Sequence, residues 1–408
     1  MRYPPAVVIP SDRPASLGIA RSLGRKGISV HGIDSDPMAF GMASRYLQAH
    51  LLPSTNDSEE NKLQFLVDFG KKLGQKAVLF PVSDEDVILC SKERKELERY
   101  YLYLMPDHST IINLLTKDGL TRSAEACGIP VPKMIIPADI SELEVIAGQL
   151  AYPVIIKPVF SPSWLRPEIM ELLRDNPLSG PAKVAYCPAP EILIRTYRQI
   201  VTYDSKVIIQ EVIPGEDDNL VYFCFYLDRE YKPLATFAGR KIRLLPVGFG
   251  SASYVRSFYD RELEDISLQL LHGVEYKGLG GIEFKKDPRD GKYKLIEFNA
   301  RFGMWDSLGV RCGVDIPFIS YSDAIGRQVE NQRQYREDIA WFDLQRDIRA
   351  YLIYRSQRKL TFVQWLRTFR GEKDWAVYAA DDWKPALYAL YHILERPKAK
   401  IKKRFLAP

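Results

Sequence analysis

Length, composition and charge place this chain among globular proteins and exclude several other classes. Its 408 residues, 46% of them hydrophobic, can form large cores, so we expect two or three domains and no extended disorder. The net charge of +5 comes from interleaved basic and acidic residues, which does not indicate nucleic-acid binding. Without a long apolar run or a signal-peptide pattern, the sequence predicts a cytoplasmic protein.

The first 110 residues alternate short apolar strands with helices. We predict strands over 6–9 and 28–33, with a helix over 15–26 between them. Such alternation is typical of a doubly wound parallel sheet. The turn at 10–14 lacks the glycines that let a backbone approach a pyrophosphate, so a nicotinamide dinucleotide is not expected there.

After about residue 130 the pattern becomes α+β. A strand over 153–158 carries Lys157 near its end, and a second strand covers 207–213. An insertion rich in proline and serine, residues 160–182, lies between them. Two antiparallel strands are expected between 219 and 245.

The most informative feature is a predicted hairpin that carries two glutamates. Its turn at 287–291 would place Glu283 opposite Glu297, and strand alternation puts Asn299 and then Arg301 on the face of Glu297. Like charges this close favour a divalent cation, and oxygen ligands indicate Mg2+ or Mn2+ rather than zinc. A guanidinium beside such a site suits a phosphoryl group. The alternative is a polar-faced hairpin whose glutamates pair with lysines.

The residues after about 330 predict a helical extension. Aromatic-rich segments over 341–354 and 362–369 have helical patterns without recognisable chemistry. The basic cluster between Arg396 and Arg404 would give weak contact with an anionic membrane surface, at about 1 kcal/mol per basic residue. The alternative is a solvated, frayed terminus.

Four motifs, taken in chain order, resemble those of the ATP-grasp superfamily. They are Lys117 on a helix near Gly-Ile-Pro-Val-Pro, Lys157 near the end of an apolar strand, Gln-Glu-Val-Ile-Pro-Gly-Glu-Asp from residue 210 and Ile-Glu-Phe-Asn-Ala-Arg from residue 296. The likeness covers roughly residues 1–325. The segment 237–250 is further similar to the branch that contains D-aspartate ligase and predicted carboligases.

The resemblance implies a fold of mixed α/β and α+β type. We expect a doubly wound α/β domain, then a two-lobed ATP-grasp fold, then the C-terminal helical extension with its basic tail. The expected bounds are 1–110 for the α/β domain, 111–205 for the small lobe, 206–330 for the metal-bearing lobe and 331–408 for the extension.

The resemblance also implies an activity. An ATP-dependent ligase would phosphorylate a carboxylate, such as that of aspartate, and an amine would attack the acylphosphate to give an amide, ADP and phosphate. ATP, Mg2+ or Mn2+ and the two small substrates would be its partners, and a homodimer is compatible with the sequence. Two alternatives stay open: a small-molecule kinase and a catalytically inactive nucleotide-binding protein.

Nucleotide contacts are implied for the two central lobes. Lys117 and Lys157 match the lysines that hold ATP phosphates, and Lys183 is a further candidate. Asp218 matches the acid that binds ribose, with Asp217 and Glu216 as alternatives. The strand that reads the adenine edge would comprise Gln210, Glu211, Val212 and Ile213, with the side chain of Glu211 and the backbone of Val212 and Ile213 making the contacts.

The implied reaction centre lies on the hairpin and the preceding strands. Glu283, Glu297 and Asn299 match the metal ligands, and Arg301 matches the residue that steadies the reacting groups. Lys241 is a further catalytic or phosphate-contacting candidate. Arg240 and Arg243 are candidates for substrate carboxylate contact, with exposed surface residues as the alternative reading.

Two further sets of residues have open roles. Asp84 and Glu85 would receive the amine, as in similar folds, or else Ser83 and Asp84 cap the following helix. The insertion at 160–182 has no glycine before Gly180, unlike the glycine-rich phosphate lid of many ATP-grasp enzymes, so hydroxyls of Ser161 and Ser163 would take the place of backbone amides.

Overall fold

The structure is a computed structural model that describes residues 3–53, 58–159, 161–164, 166–174 and 184–391. Within these residues the strands form three sheets, of five, four and seven strands. No helix in the described ranges is long and apolar enough to cross a bilayer. Lys183 and the basic cluster between Arg396 and Arg404 lie outside the described residues.

The first part of the chain alternates strands and helices. Its elements are β1 (Ala6–Ile9), α1 (Pro14–Gly24), β2 (Val30–Asp34), β3 (Gln48–Leu51), α2 (Glu59–Leu73), β4 (Ala77–Pro81), α3 (Asp84–Lys92), α4 (Arg94–Leu97) and β5 (Tyr101–Leu102). The strands pair in parallel in the order β3-β2-β1-β4-β5, so the predicted doubly wound parallel sheet is confirmed. Strands β1 and β4 are buried along their whole length, as expected of central strands in such a sheet.

The second part builds a four-stranded antiparallel sheet. Its elements are α5 (His108–Leu115), α6 (Lys117–Ala126), β6 (Met134–Ile135), α7 (Ile140–Ala147), β7 (Val154–Pro158), α8 (Pro167–Leu172), β8 (Ala185–Cys187), α9 (Pro190–Ile200) and β9 (Val207–Glu211). The strand order is β6-β9-β7-β8. Thr116 has an extended backbone between α5 and α6, so Lys117 begins a new helix.

The third part builds a seven-stranded sheet. Its elements are β10 (Leu220–Leu227), β11 (Pro233–Leu245), β12 (Ser251–Ser257), α10 (Arg261–Gly273), β13 (Gly278–Lys286), β14 (Tyr293–Asn299), α11 (Ser307–Cys312), α12 (Ile316–Ala324), β15 (Ala340–Phe342), α13 (Leu344–Ser356), α14 (Phe362–Arg367) and β16 (Lys373–Trp375). The order is β14-β13-β10-β11-β12-β15-β16, so β10 and β11 are the antiparallel pair that the sequence predicts. Every residue of β10 is buried.

The C-terminal extension is mainly helical, as predicted, but it also contributes two strands. Strand β15 pairs with β12, and β16 pairs with β15. Trp341, predicted to be helical, lies in β15 and is fully buried. The helix begins later because the side chain of Asp343 accepts the backbone amide of Arg346 and so caps α13. The predicted domain bounds remain predictions.

Two histidines meet on neighbouring strands of the first sheet. His31 Nδ1 lies 2.9 Å from His50 Nε2, and both rings pack against Phe69. Burial lowers the pKa of both imidazoles, and each pKa is lowered further by a neighbouring basic group, His50 for His31 and Lys72 for His50. The folded state therefore holds both rings neutral at a pH where the unfolded chain binds protons.

We predict that stability falls as the pH drops below the unfolded value of about 6.5, because protons then bind the unfolded chain preferentially. Urea unfolding at pH 7.5 and pH 5.5 measures the loss. His50→Gln should reduce this dependence, whereas His272→Gln, at an exposed histidine on α10, should leave it unchanged. An unaltered dependence in His50→Gln would contradict the assignment.

Candidate active site

A cavity of about 600 Å³ lies where the three sheets meet. That volume is in the range of small-ligand pockets, which commonly form between domains. Its lining includes the turns after β1 and β4, the start of α6, strands β7 and β9, and the hairpin of β13 and β14. The ionisable residues that line it are Asp12, Arg13, Asp84, Glu85, Lys117, Lys157, Glu211, Tyr222, Lys241, Glu283, Lys285, Glu297 and Arg301.

The β13–β14 hairpin brings its two glutamates together. Glu283 and Glu297 are direct partners in the antiparallel ladder, and Asn299 pairs with Gly281 two positions along. All three predicted ligands line the cavity. Two uncompensated carboxylates at about 5 Å would repel by about 3 kcal/mol at an effective dielectric constant near 20.

Each glutamate has a lysine partner in this structure. Lys241 Nζ contacts Glu283 Oε2, and Lys117 Nζ lies 3.2 Å from Glu297 Oε1. The side chains of Lys241 and Glu283 are 8% and 12% exposed, so their charges are poorly screened by water. Lys117 comes from the first residue of α6, whereas Lys241 reaches the hairpin from β11 across β10. The two lysines that neutralise the paired carboxylates thus come from separate parts of the chain.

The donor set fits a hard divalent cation. Glu283, Glu297 and Asn299 offer two carboxylates and one amide oxygen, which suit Mg2+ or Mn2+. The described residues contain no cluster of three or more His, Cys, Asp or Glu side chains able to hold a metal ion. A metal at the hairpin would therefore need the amide of Asn299, water or a bound phosphate to complete its coordination. The metal role of these residues remains a prediction.

Arg301 forms an ion pair with the first sheet. Its Nε donates to Asp84 Oδ1 at 2.6 Å, and both residues line the cavity. Burial disfavours the charged guanidinium, but the charge and hydrogen bond of Asp84 outweigh it, so the pKa of Arg301 is raised. Ser83 caps α3 by accepting the amide of Asp86 at 3.0 Å. Ser83 is thus the helix cap, whereas Asp84 carries a charge at the cavity.

The strand predicted to contact adenine already makes hydrogen bonds within the protein. Gln210 is buried, and Glu211 Oε1 accepts the backbone amide of Lys133 at 2.8 Å. The amide of Val212 donates to Pro153 O at 3.2 Å. An adenine contact through the Val212 amide would have to exchange that hydrogen bond. Gln210, Glu211, Val212 and Ile213 all line the cavity, and their role remains a prediction.

The three acids considered for ribose have different surroundings. Asp217 is buried, and its Oδ2 accepts both the amide of Gly248 at 3.2 Å and the hydroxyl of Tyr354. Asp218 is exposed and is not among the described residues that line the cavity. Glu216 pairs with Lys359 at 2.6 Å. The ribose role of Asp218 stays a prediction, without a cavity position to support it.

The two arginines of β11 take structural positions. Arg243 forms a buried ion pair with Asp347 of α13, at 2.8 Å and 3.0 Å, and its guanidinium lies over Tyr254. A register shift in the β11–β12 pairing between Lys241 and Arg243 accounts for the different surroundings of these neighbours. Arg240 packs over the ring of Phe258. The structure therefore gives no support to a substrate role for either arginine.

The proposed phosphate lid, residues 160–182, lies partly outside the described residues. Residues 175–183, which include Lys183, are not described. Ser163 is described, and its hydroxyl donates to Asp204 Oδ2 at 2.6 Å. The hydroxyl of Ser163 is therefore hydrogen-bonded within the part of the chain that forms the four-stranded sheet. The lid assignment stays a prediction.

Several lining residues were not identified from the sequence. Lys285 lies two residues after Glu283 on β13, so strand alternation was a usable signal for it. Burial lowers the pKa of Lys285, against the opposing charge of Asp217. Tyr222 pairs with Glu283, and its buried hydroxyl has no hydrogen-bond partner among the described residues. Its position depends on strand order, for which the sequence carried no local signal.

A short turn after β14 completes the cavity wall. Gly303 and Trp305 line it, and the ring of Trp305 packs edge-on against Tyr222 at 5.1 Å. The turn is held by Asp306, whose carboxylate accepts the amide of Gly303. Burial raises the pKa of Asp306 to about 6. The sequence analysis did not identify the turn because the recognised motif ends at Arg301.

Solved structures share this architecture. The biotin carboxylase domain of 2-oxoglutarate carboxylase from Hydrogenobacter thermophilus, solved with MgADP and bicarbonate, has a TM-score of 0.61 and 15% identity and covers 83% of this chain and 74% of its own. An L-amino acid ligase from Bacillus licheniformis has a TM-score of 0.58 and 14% identity, covering 81% and 76%. No protein-family model matches the chain.

These likenesses define the fold of the chain as ATP-grasp, and the fold predicted from its motifs is confirmed. Sequence comparison adds a more specific likeness. Over 302 residues the chain is 26% identical to D-aspartate ligase of Enterococcus faecium strain Aus0004, a match that covers 70% of this chain and 68% of that protein. The chain therefore has an ATP-grasp fold and is similar in sequence to D-aspartate ligase over most of its length.

We predict that Lys241→Met destabilises the fold by about 3 kcal/mol or more, because it leaves Glu283 nearly buried and facing Glu297 without its lysine. Urea unfolding without divalent ions measures the change. The double variant Lys241→Met with Glu283→Met should recover most of the loss. As a matched control, Lys71→Met breaks an exposed pair with Asp68 and should leave the free energy of unfolding nearly unchanged. A small effect of Lys241→Met would contradict this account.

Proposed function

We propose that this protein is an ATP-dependent ligase that joins a carboxylate to an amine through an acylphosphate. The observation that carries the proposal is one cavity in which Glu283 and Glu297, compensated by lysines, lie near the Arg301 guanidinium. Homology to D-aspartate ligase and the shared fold with L-amino acid ligase support the same class of reaction.

ATP would bind between the four-stranded sheet and the β13–β14 hairpin. Lys157 of β7 and Lys117 of α6 line that side of the cavity and would contact the phosphates. Glu283, Glu297 and Asn299 would hold Mg2+ or Mn2+, which shields the phosphate charge so that an anionic carboxylate can approach the terminal phosphorus. The oxygen chemistry of the donor set supports that choice of ion.

Binding would exchange the partners of the charged groups. Without nucleotide, Lys241 and Lys117 neutralise Glu283 and Glu297. With metal-nucleotide bound, the carboxylates turn to the cation and the lysines turn to the phosphates. Because every charge keeps an opposite partner in both states, the exchange avoids an unpaired buried ion, which would cost several kcal/mol.

The reaction would proceed in two steps. A carboxylate oxygen of the first substrate attacks the γ-phosphorus, the bond to ADP breaks, and an acylphosphate forms. The amine nitrogen then attacks the acyl carbon, phosphate leaves, and the nitrogen loses a proton to give the amide. Arg301, already charged and fixed by Asp84, would stabilise the negative charge that develops on the transferring and acyl groups.

The substrates are small molecules, and an amino acid such as aspartate is proposed for the carboxylate. Its support is the name of the homologue, together with the charges that the first sheet presents to the cavity. Arg13 offers a cation for a second carboxylate, and Asp12 and Glu85 offer anions for an ammonium group. We also propose a cytoplasmic location, no nucleic-acid partner, and a homodimer as the assembly to be tested by sedimentation.

Turnover with ATP and Mg2+ tests this function. The protein is incubated with single amino acids and with amine acceptors, and ADP and products are measured by mass spectrometry. ADP release that requires both substrates and yields an amide supports ligation. Release without an amine indicates a kinase, and binding of nucleotide without release indicates an inactive binding protein, and both results would reject the ligase.

We predict that Glu297→Gln lowers turnover by at least a hundredfold while the protein remains folded, because an amide is a much weaker metal ligand than a carboxylate. Steady-state ADP release and circular dichroism measure the two properties. Asp290→Asn, in the exposed turn of the same hairpin, should retain full turnover. Substantial turnover in Glu297→Gln would reject the metal site.

We predict that Tyr354→Phe weakens ATP binding about fivefold, which corresponds to one hydrogen bond of about 1 kcal/mol. The Tyr354 hydroxyl donates to Asp217, which also accepts the amide of Gly248 in the cavity wall. Calorimetric titration with a non-hydrolysable ATP analogue measures the effect. Tyr351→Phe, which removes a hydroxyl that accepts from Arg355, is the matched control and should bind as the wild type does. Equal affinity in both variants would contradict the role of Tyr354.

A further inference from the structure

The outer side of the C-terminal extension exposes apolar side chains on two adjacent helices. On α13 these residues recur every four positions and so form one stripe. On α14 they are three of the six residues of the helix. Their exposed fractions lie between 43% and 58%, although large apolar side chains are usually buried. This surface, called the outer patch below, comprises Leu344, Ile348 and Leu352 of α13 and Phe362, Val363 and Leu366 of α14.

The two helices form one continuous surface. The ring of Tyr351 in α13 lies 4.7 Å from that of Trp365 and 6.3 Å from that of Phe362, both in α14. Trp365 Nε1 also donates to Asp347 Oδ2 at 2.7 Å. The inner side of α13 is buried through Asp347, Tyr351 and Tyr354. Among the described residues, the fold therefore buries the inner side of α13 and leaves the outer patch largely exposed.

The segment that carries the outer patch has a large excess of basic residues. Residues 344–370 contain seven basic residues and a single acidic one, Asp347, which is buried and paired with Arg243. Of the basic residues, Arg346 donates to backbone carbonyls and Lys359 pairs with Glu216. The remaining basic residues are exposed, and they are Arg349, Arg355, Arg358, Arg367 and Arg370.

Helix geometry places these arginines beside the apolar side chains. Arg355 follows Leu352 by three positions and Arg367 follows Val363 by four, so each pair shares a helix face. Exposed apolar side chains bordered by arginine are typical of helices that lie in a membrane interface. Guanidinium groups there contact lipid phosphates while the apolar side chains reach the acyl boundary.

We propose that the outer patch docks on the surface of a membrane that contains anionic lipids. A second copy of the chain is disfavoured because two such surfaces would bring like charges together. The C-terminal segment 392–408 is disfavoured for the same reason, since six of its seventeen residues are lysine or arginine and only one is acidic. The docking does not depend on the proposed reaction.

Vesicle sedimentation of the full-length protein tests the proposal. Vesicles of phosphatidylcholine with phosphatidylglycerol should bind the protein at about 0.1 M salt, and binding should weaken as salt increases. Vesicles of phosphatidylcholine alone should not bind. The double variants Ile348→Ser with Leu352→Ser, and Arg355→Gln with Arg367→Gln, should each reduce binding about tenfold or more. Val145→Ser, at an exposed valine on α7, should bind as the wild type does.

The two sources of basic charge are separated by a further variant. Lys400→Gln with Lys402→Gln and Lys403→Gln removes charge from the C-terminal tail and should leave most of the binding intact. Loss of binding in this variant, with retention in the patch variants, would assign the contact to the tail and overturn the proposal. Absence of vesicle binding by the wild type would also overturn the proposal. In that case, if immobilised polyglutamate retained the wild type but not the patch variants, an acidic protein partner would be indicated.

Discussion

The charge compensation of Glu283 and Glu297 is the constraint on which the rest of the site depends. Their pairing is fixed by the register of the β13–β14 hairpin, and a slip of β14 by one residue would turn Glu297 to the other face of the sheet, away from Glu283. Lys241 and Lys117 meet them from β11 and α6. The hairpin, strand β11 of the same sheet and helix α6 must therefore all be in place before the two glutamates are neutralised.

This dependence makes the cavity a composite of the whole fold. The first sheet supplies Asp84, the small sheet supplies Lys157, and the large sheet supplies the hairpin. Arg301 joins the first and third of these through its ion pair with Asp84. Since no single sheet holds all the charged groups, the site exists only when the three assemble. Such an arrangement suits a reaction that must hold three anionic or polar reactants at once.

The sequence allowed good prediction wherever the information was local. Alternation along β13 and β14 was sufficient to place Glu283 opposite Glu297, and the βαβ pattern was sufficient for the parallel sheet. Lys241 could be proposed only through family resemblance, because its contact with Glu283 crosses β10 and depends on strand order. Arg243 could not be separated from Lys241, because a bulge between them has no local sequence signal. Trp341 seemed helical for a similar reason: its burial comes from pairing with distant β12.

One helix of the extension has a mechanical consequence. The buried Arg243–Asp347 pair joins α13 to β11 at a position two residues from Lys241, so the helix has a defined orientation relative to the reaction centre. A protein held on a surface by a flexible tail could rotate freely. One held through α13, which is joined to the seven-stranded sheet, would keep a fixed orientation. Anything that grips the exterior of α13 would thus determine the direction in which the cavity opens.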